Sequence, residues 1–123
     1  MRILMVDDEP NICKTVRRML RDTDHCVEYA GSVQAARELL EIQRPDVVVS
    51  DVMMPGETGA DLHRWLQERR DELAARFAFM TGGIRDPKVR AYVEGAGVPI
   101  VEKPFMVAEL MVVLKNLAGD DDC

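Results

Sequence analysis

Hydrophobic residues follow two alternating patterns along the chain. Short apolar or alternating runs, which predict β-strands, cover residues 2–6, 26–30, 47–52, 77–80 and 98–101. After each run, apolar residues recur at helical spacing, as they do after the first run at Ile12, Val16, Met19 and Leu20. The pattern therefore predicts a strand followed by a helix, repeated five times.

Residues that start or stop helices support this division. Pro10 fits the first turn of a helix, where a missing N–H costs nothing, and Ser32 is a favourable N-cap. Pro45 ends the second predicted helix, and Gly95 ends the fourth. The end of the third helix stays open, because residues 69–76 are highly charged yet include apolar positions.

The alternation of strands and helices predicts an α/β fold. Strands joined by helices form a parallel sheet, and right-handed crossovers place helices on both of its faces. We expect one domain over residues 1–119, followed by an acidic tail at residues 120–123. In sheets of this kind the working site lies outside the carboxyl ends of the strands.

Composition narrows the classes of function. The 123 residues suit one domain, and the net charge of −6 argues against direct binding to nucleic acid. The three cysteines are odd in number and far apart, which argues against a disulfide framework or zinc site and suits a reducing compartment. With no membrane-length apolar run and no signal peptide before the first strand, the chain is expected to be cytoplasmic, without membrane insertion.

Polar residues stand where the predicted strands end. The first strand is followed by Asp7 and Asp8, the third ends near Asp51, the fourth near Thr81 and the fifth near Lys103. Carboxylates held together raise one another's pKa unless a cation neutralises them. A hard cation with oxygen ligands solves this problem, and Mg²⁺ suits a partly open site with few protein ligands.

These residues belong to a longer pattern that is similar to a known family. The pattern is Asp7-Asp8, Asp51-Val52-Met53-Met54-Pro55, Gly59, Thr81-Gly82 and Lys103-Pro104-Phe105. It resembles the receiver domain of bacterial response regulators in two-component signalling, in particular chemotaxis-regulator-like receivers, over residues 2–117. The resemblance implies a flavodoxin-like (βα)5 fold with the strand order 2-1-3-4-5.

The resemblance implies a role for each acidic residue. Asp51 matches the phosphoacceptor. Asp8 matches a direct Mg²⁺ ligand, Asp7 holds the metal largely through water, and Met53 supplies its backbone carbonyl. A phosphohistidine on a sensor histidine kinase or phosphotransfer domain would donate the phosphoryl group. The domain would promote its own phosphorylation and dephosphorylation without being an enzyme that turns over a substrate.

The remaining motif residues match the switch of the family. Lys103 would pair with the phosphoryl oxygens, and its bond to Pro104 is expected to be cis. Thr81 would hydrogen-bond the phosphoryl group and move on activation, changing the surface from the fourth helix to the fifth. The output partner is not identified by the sequence.

Two features depart from the family pattern. Ile100, three residues before the lysine, stands where an aromatic switch residue is usual, and its β-branched side chain is stiff. We therefore expect the loop at residues 81–86 to shift instead. Met53 and Gly83 flank the path of attacking water without a side chain that can bind it, so slow to moderate autodephosphorylation is expected.

Three alternative functions are less favoured than the receiver. A degenerate receiver would act as an interaction module without taking phosphate. A phosphohydrolase would need an acid two residues after the nucleophile, where this chain has Met53. A nucleotide- or flavin-binding module would need a glycine-rich turn after the first strand, where this chain has Asp7-Asp8-Glu9-Pro10. The stretches at 79–83 and 98–103 resemble receivers found at the ends of hybrid histidine kinases. The sequence therefore leaves open whether the chain is a stand-alone receiver or part of a larger protein.

Residues outside the motif are assigned to packing or to the surface. His25 and His63 are predicted to be solvated, whereas Cys13 and Cys26 are predicted to be small buried residues. Trp65 and the eight methionines are assigned to the core or its boundary.

Overall fold

A computed structural model describes residues 1–119, and the predicted acidic tail at 120–123 lies outside the described residues. The elements are β1 (Arg2–Val6), α1 (Pro10–Met19), β2 (Cys26–Ala30), α2 (Val33–Ile42), β3 (Val47–Asp51), α3 (Gly59–Glu68), a 3₁₀ turn (Glu72–Ala74), β4 (Phe77–Thr81), α4 (Pro87–Gly95), β5 (Ile100–Glu102) and α5 (Val107–Ala118).

The five strands form one parallel sheet in the order β2-β1-β3-β4-β5. This confirms the predicted α/β fold and its strand order. The central strands β1, β3 and β4 are covered on both faces, which explains why they read as nearly continuous apolar runs. None of the helices described within residues 1–119 is long and apolar enough to span a membrane.

Alternate residues of each strand enter two separate cores. On one face, Leu4, Val48 and Phe79 pack with residues of α2, α3 and α4. On the other face, Met5 and Val49 pack with residues of α1 and α5. The period of two along each strand thus fixes which helix covers which side chain.

Local signals in the sequence define several helix starts. Pro10 occupies the first turn of α1, and the Ser32 hydroxyl accepts the Ala35 N–H at the start of α2. At α3, Thr58 and Asp61 form a capping box in which each side chain accepts the other residue's backbone N–H. These caps place the helices that follow the carboxyl ends of β2 and β3.

Some predicted boundaries were wrong. The fifth strand begins at Ile100 and not at residue 98, since Pro99 has no N–H for a sheet hydrogen bond and only its carbonyl takes part, accepting the Phe79 N–H. The charged stretch after Glu68 is not a continuation of α3. It contains the 3₁₀ turn, which buries Leu73 beneath α3.

His63 is fully buried, so its assignment to the surface was wrong. Its ring lies against Phe77 and Phe79, Nε2 is 2.9 Å from the Ala74 carbonyl oxygen, and Nδ1 is 2.8 Å from the Tyr92 hydroxyl. Because both ring nitrogens have partners, the imidazole can be buried without an unpaired polar atom. Burial lowers the pKa of His63, which favours the neutral ring.

Two other assignments also differ from the structure. Cys13 is buried as predicted, but Cys26 is exposed at the first residue of the edge strand β2. Met19 is 62% exposed, since it lies to one side of the stripe formed by Cys13, Val16 and Leu20. Met53 and Met106 are exposed too, so the methionines are not all packed in the core.

Candidate functional site

The carboxyl ends of four neighbouring strands meet at one edge of the sheet. Asp7 directly follows β1, and Asp51 is the last residue of β3. Thr81 is the last residue of β4, and Lys103 directly follows β5. The parallel topology therefore brings together residues that are nearly a hundred positions apart in the chain.

Three carboxylates form the acidic part of this site. One oxygen each from Asp7, Asp8 and Asp51 lies within 4.8 Å of the other two. Asp7 is fully buried and Asp51 is 8% exposed, whereas Asp8 is exposed at the rim. The cluster is therefore anchored in the domain and open to solvent on one side.

Lys103 lies between two of the carboxylates. Its Nζ is 3.1 Å from Asp7 Oδ2 and 3.4 Å from Asp51 Oδ2. Burial disfavours the ammonium, but the hydrogen bond to Asp7 and the charge of Asp51 outweigh it and raise the pKa of Lys103. Burial raises the pKa of Asp51, the Lys103 charge opposes this rise, and the Asp7 charge adds to it.

The Asp7 carboxylate and backbone are held by several donors. Asp7 Oδ1 accepts the Glu9 N–H at 2.9 Å, and Oδ2 accepts Lys103 Nζ. The Asp7 carbonyl oxygen accepts the Tyr29 hydroxyl at 2.5 Å. Sequence reasoning missed Tyr29. The signal available was a tyrosine near the carboxyl end of the strand predicted to follow the first helix.

Gly59, the first residue of α3, lies against the backbone of Asp51, the candidate phosphoacceptor. A Cβ at this position would lie 2.3 Å from the Asp51 carbonyl oxygen and 3.0 Å from Ser50 Oγ. The Ser50 hydroxyl donates to that same carbonyl oxygen, and the Gly59 N–H donates to the Val52 carbonyl. The chain therefore returns so close to the end of β3 that only glycine fits at the first residue of α3.

Thr81 is buried at the end of β4, beside Lys103. Its hydroxyl oxygen accepts the Gly83 N–H at 2.9 Å, and its carbonyl accepts the Lys103 N–H at 2.8 Å. The hydroxyl hydrogen remains able to donate to an oxyanion. Thr81, Gly82, Gly83, Glu102 and Lys103 line an open pocket at this end of the sheet.

The remaining predicted residues lie around this centre. Met53, two residues beyond Asp51, has a side chain that is 42% exposed. Ile100 is 40% exposed on β5, paired in register with Phe79. The Lys103–Pro104 peptide bond is cis. The structure thus brings Asp7, Asp8, Asp51 and Lys103 into one group, with Thr81 beside Lys103 and Ile100 on the outer strand β5.

The donor set fits a hard divalent cation. All three side chains offer carboxylate oxygens, the ligands that Mg²⁺ prefers, and the exposed side leaves room for water and a phosphoryl oxygen. A cation there would also offset the mutual repulsion of three carboxylates that a single ammonium balances only in part. The fold and the site together define a doubly wound α/β domain with an acidic, cation-compatible centre.

Comparison with known sequences agrees with this description. The profile of the response regulator receiver domain matches residues 3–115, and the chain belongs to this family. A response regulator from Synechocystis sp. is 33% identical over 94% of the chain, and the response regulator MprA from Mycolicibacterium vanbaalenii is 33% identical over 94%. The chain spans 50% and 49% of these two relatives, or about half their length.

Solved structures show the same fold. The signal receiver domain of a signal transduction histidine kinase from Syntrophus aciditrophicus has a TM-score of 0.82 at 27% identity, covering 98% of this chain and 92% of that one. The response regulator TrrA from Thermotoga maritima, in complex with Mg²⁺-BeF, has a TM-score of 0.76 at 26% identity, covering 94% and 97%. The protein is therefore similar to receivers of both kinases and response regulators, and it is a receiver domain of two-component systems.

Proposed function

We propose that this receiver domain accepts a phosphoryl group on Asp51 from a phosphohistidine, with Mg²⁺ bound beside it. The observation that carries the proposal is the convergence of three carboxylates and Lys103 at the carboxyl ends of the strands. The donor would be a sensor histidine kinase or a histidine phosphotransfer domain, as family membership suggests. The proposal takes the domain as residues 1–119 and places it in the cytoplasm, which suits a chain whose cysteines show no disulfide framework.

The metal ligands in this proposal are the side chains of Asp8 and Asp51, the backbone carbonyl of Met53, and Asp7 acting largely through water. When bound, Mg²⁺ would supply positive charge beside the phosphoryl oxygens. TrrA, which was solved with Mg²⁺-BeF, has the same fold at 26% identity, and this supports the choice of metal.

The chain's own residues perform the transfer in this proposal. A carboxylate oxygen of Asp51 attacks phosphorus in line, the phosphorus–nitrogen bond of the donor breaks, and an acyl phosphate forms on Asp51. Lys103, already near Asp51, pairs with the negative phosphoryl oxygens. Thr81 turns its free hydroxyl hydrogen toward the phosphoryl group. Water later hydrolyses the acyl phosphate, which releases phosphate and restores the Asp51 carboxylate.

The proposed response to phosphorylation centres on the loop between β4 and α4. As Thr81 moves toward the phosphoryl group, the hydrogen bond that its hydroxyl oxygen accepts from the Gly83 N–H must change. The loop that contains Gly83 would then move with it. The middle of the loop is held by Arg90 of α4, whose Nη2 donates to the Ile84 carbonyl at 2.7 Å. The surface from α4 to α5 would then alter for an output partner, with Ile100 keeping its rotamer.

Structures with and without beryllofluoride test this response. We expect the loop at residues 82–86 to differ between the two states while Ile100 keeps one side-chain rotamer. A rotated Ile100 beside an unmoved loop would contradict the proposed response, although Asp51 phosphorylation would stand.

The first test of the proposal is intact mass after incubation with Mg²⁺ and acetyl phosphate. We expect one added phosphoryl group, absent from Asp51→Asn and absent when a chelator removes the metal. No added mass, together with no binding of beryllofluoride, would contradict the proposal. The degenerate interaction module would then account better for the domain.

A further inference from the structure

The Tyr29 side chain reaches from the edge strand to the acidic end of β1. Its hydroxyl donates to the Asp7 carbonyl oxygen at 2.5 Å, across 22 residues of sequence. The ring is partly buried and packs against the core beneath α1 and α5. The hydroxyl is therefore brought to the site by a side chain that the fold already holds in place.

The position of Asp7 explains why this carbonyl uses a side-chain donor. The Asp7 N–H donates to the carbonyl of Ala30, the last residue of β2. Beyond Ala30 the chain leaves the sheet, and Ser32 caps α2. The strand therefore no longer runs beside Asp7, and Tyr29 supplies the donor that a longer β2 would have supplied.

The carbonyl held by Tyr29 belongs to the peptide unit between Asp7 and Asp8. A peptide unit is planar, so fixing its oxygen also fixes the direction in which the chain enters Asp8. The Asp7 carboxylate already has two donors of its own, the Glu9 N–H and Lys103. Asp8 is exposed. The orientation of its backbone depends on the peptide unit that joins it to Asp7.

We propose that Tyr29 is a positioning residue for divalent cation binding, which acts by fixing the Asp7–Asp8 peptide so that Asp8 faces the site. This inference rests on the proposed Mg²⁺ site. It assigns Tyr29 no contact with the metal or the phosphoryl group. Removing the hydroxyl should therefore weaken metal binding and leave Asp51, Lys103 and Thr81 able to react.

The test is calorimetric titration of Mg²⁺ into the wild-type chain and into Tyr29→Phe. We expect the dissociation constant to rise about three- to tenfold in the variant, less than when the direct partner of a metal ligand is lost. Phosphorylation by acetyl phosphate should return to the wild-type rate once Mg²⁺ is saturating. This recovery distinguishes positioning of the metal site from general damage to the fold.

The matched control is Tyr92→Phe. This variant also loses a tyrosine hydroxyl with protein partners, but that hydroxyl lies beside His63 and Gln67, between α3 and α4. Its Mg²⁺ affinity should equal that of the wild type, even where its thermal stability falls as much as that of Tyr29→Phe. An equal loss of affinity in both variants would overturn the inference.

The outcomes separate this inference from the proposed function. Mg²⁺ binding by Tyr29→Phe with wild-type affinity overturns the role of Tyr29 and leaves the proposed function standing. Weakened binding, together with a wild-type domain that never takes phosphate, would support the role of Tyr29 and contradict the phosphoacceptor. A wild-type domain that does not bind Mg²⁺ at all would overturn both.

Discussion

At the scale of single residues, the site is governed by how charge is balanced. Lys103 touches both Asp7 and Asp51, and its pKa is raised although burial alone would lower it. Asp51 keeps a small exposed fraction, through which a phosphodonor could reach it. An ammonium fixed beside the carboxylate that we propose as the phosphoacceptor is suited to binding the oxygens of an arriving phosphoryl group.

Met53 allows the lifetime of the proposed acyl phosphate to be tested at one position. Its exposed thioether side chain can shield the phosphoryl group but cannot hydrogen-bond water as an amide does. In Met53→Asn we expect hydrolysis about fivefold faster, equivalent to one net hydrogen bond of about 1 kcal/mol to the attacking water. The measurement is the decay of phosphorylated protein by intact mass after the donor is removed.

The control for this prediction is Met53→Leu, which keeps an apolar shield of similar size. Its decay rate should match that of the wild type. Equal rates in the Asn variant and the wild type would show that position 53 does not control access of water.

At the scale of elements, the start of α3 packs closely against the end of β3. Asp51 is the last residue of β3, and α3 begins at Gly59, which lies against the backbone carbonyl of Asp51. The capping box of Thr58 and Asp61 fixes where that helix starts. The position of Asp51 therefore depends on a helix that contributes no side chain to the acidic cluster.

Gly59→Ala tests this dependence. The added Cβ would lie 2.3 Å from the Asp51 carbonyl oxygen, so either the helix or the end of β3 must move. We expect a loss of about 1–3 kcal/mol in the free energy of unfolding, as in other overpacked sites. Denaturant titration measures this loss, and the acetyl phosphate assay should show slower phosphorylation.

Gly95→Ala is the matched control, since a Cβ there would meet no atom within 4 Å. It lies at the end of α4, where alanine should leave the free energy of unfolding unchanged or raise it by up to about 1 kcal/mol. If Gly59→Ala were as stable as Gly95→Ala, the close approach of α3 to Asp51 would not constrain the site.

At the scale of the whole molecule, His63 connects three parts of one core. It lies on α3, contacts Phe77 and Phe79 of β4, and reaches Tyr92 on α4 and the carbonyl of Ala74. Burial lowers the pKa of His63 and favours the neutral ring, whose Nε2 can donate to the Ala74 carbonyl while Nδ1 lies 2.8 Å from the Tyr92 hydroxyl. Protonation of His63 would therefore work against the folded domain.

The stability of the domain should consequently fall in mild acid. Burial lowers the pKa of His63 in the folded state from its ordinary value of 6.5. As pH falls through 6.5, the unfolded chain binds a proton that folded His63 does not, so stability is full above this pH and is lost below it. The slope contributed by His63 has an upper limit of about 1.4 kcal/mol per pH unit.

Denaturant titrations of the wild type and His63→Phe between about pH 7 and pH 5 measure this slope, a window that spans the ordinary histidine pKa. His25 and the carboxylates are present in both proteins, so their contributions cancel in the difference. The wild type should lose stability more steeply than the variant. Parallel curves would show that buried His63 does not resist protonation.

The sequence by itself determined the α/β class, the strand order through family resemblance, and the residues that end the strands. The α/β class and the residues that end the strands follow from local pattern, because strand and helix periods differ and each motif residue stands directly after an apolar run. The cap at Ser32 and the first turn at Pro10 are equally local. No tertiary contact is needed to predict any of them.

Only the tertiary structure decided which side chains lie together and how closely. The burial of His63 depends on Ala74 and Tyr92, which are 11 and 29 residues away in sequence, and nothing next to His63 in the chain indicates them. The structure alone likewise pairs Tyr29 with the Asp7 carbonyl and Gly59 with the Asp51 backbone. Each of these contacts is made when elements pack, so its partner is set by the packing geometry and not by the local pattern.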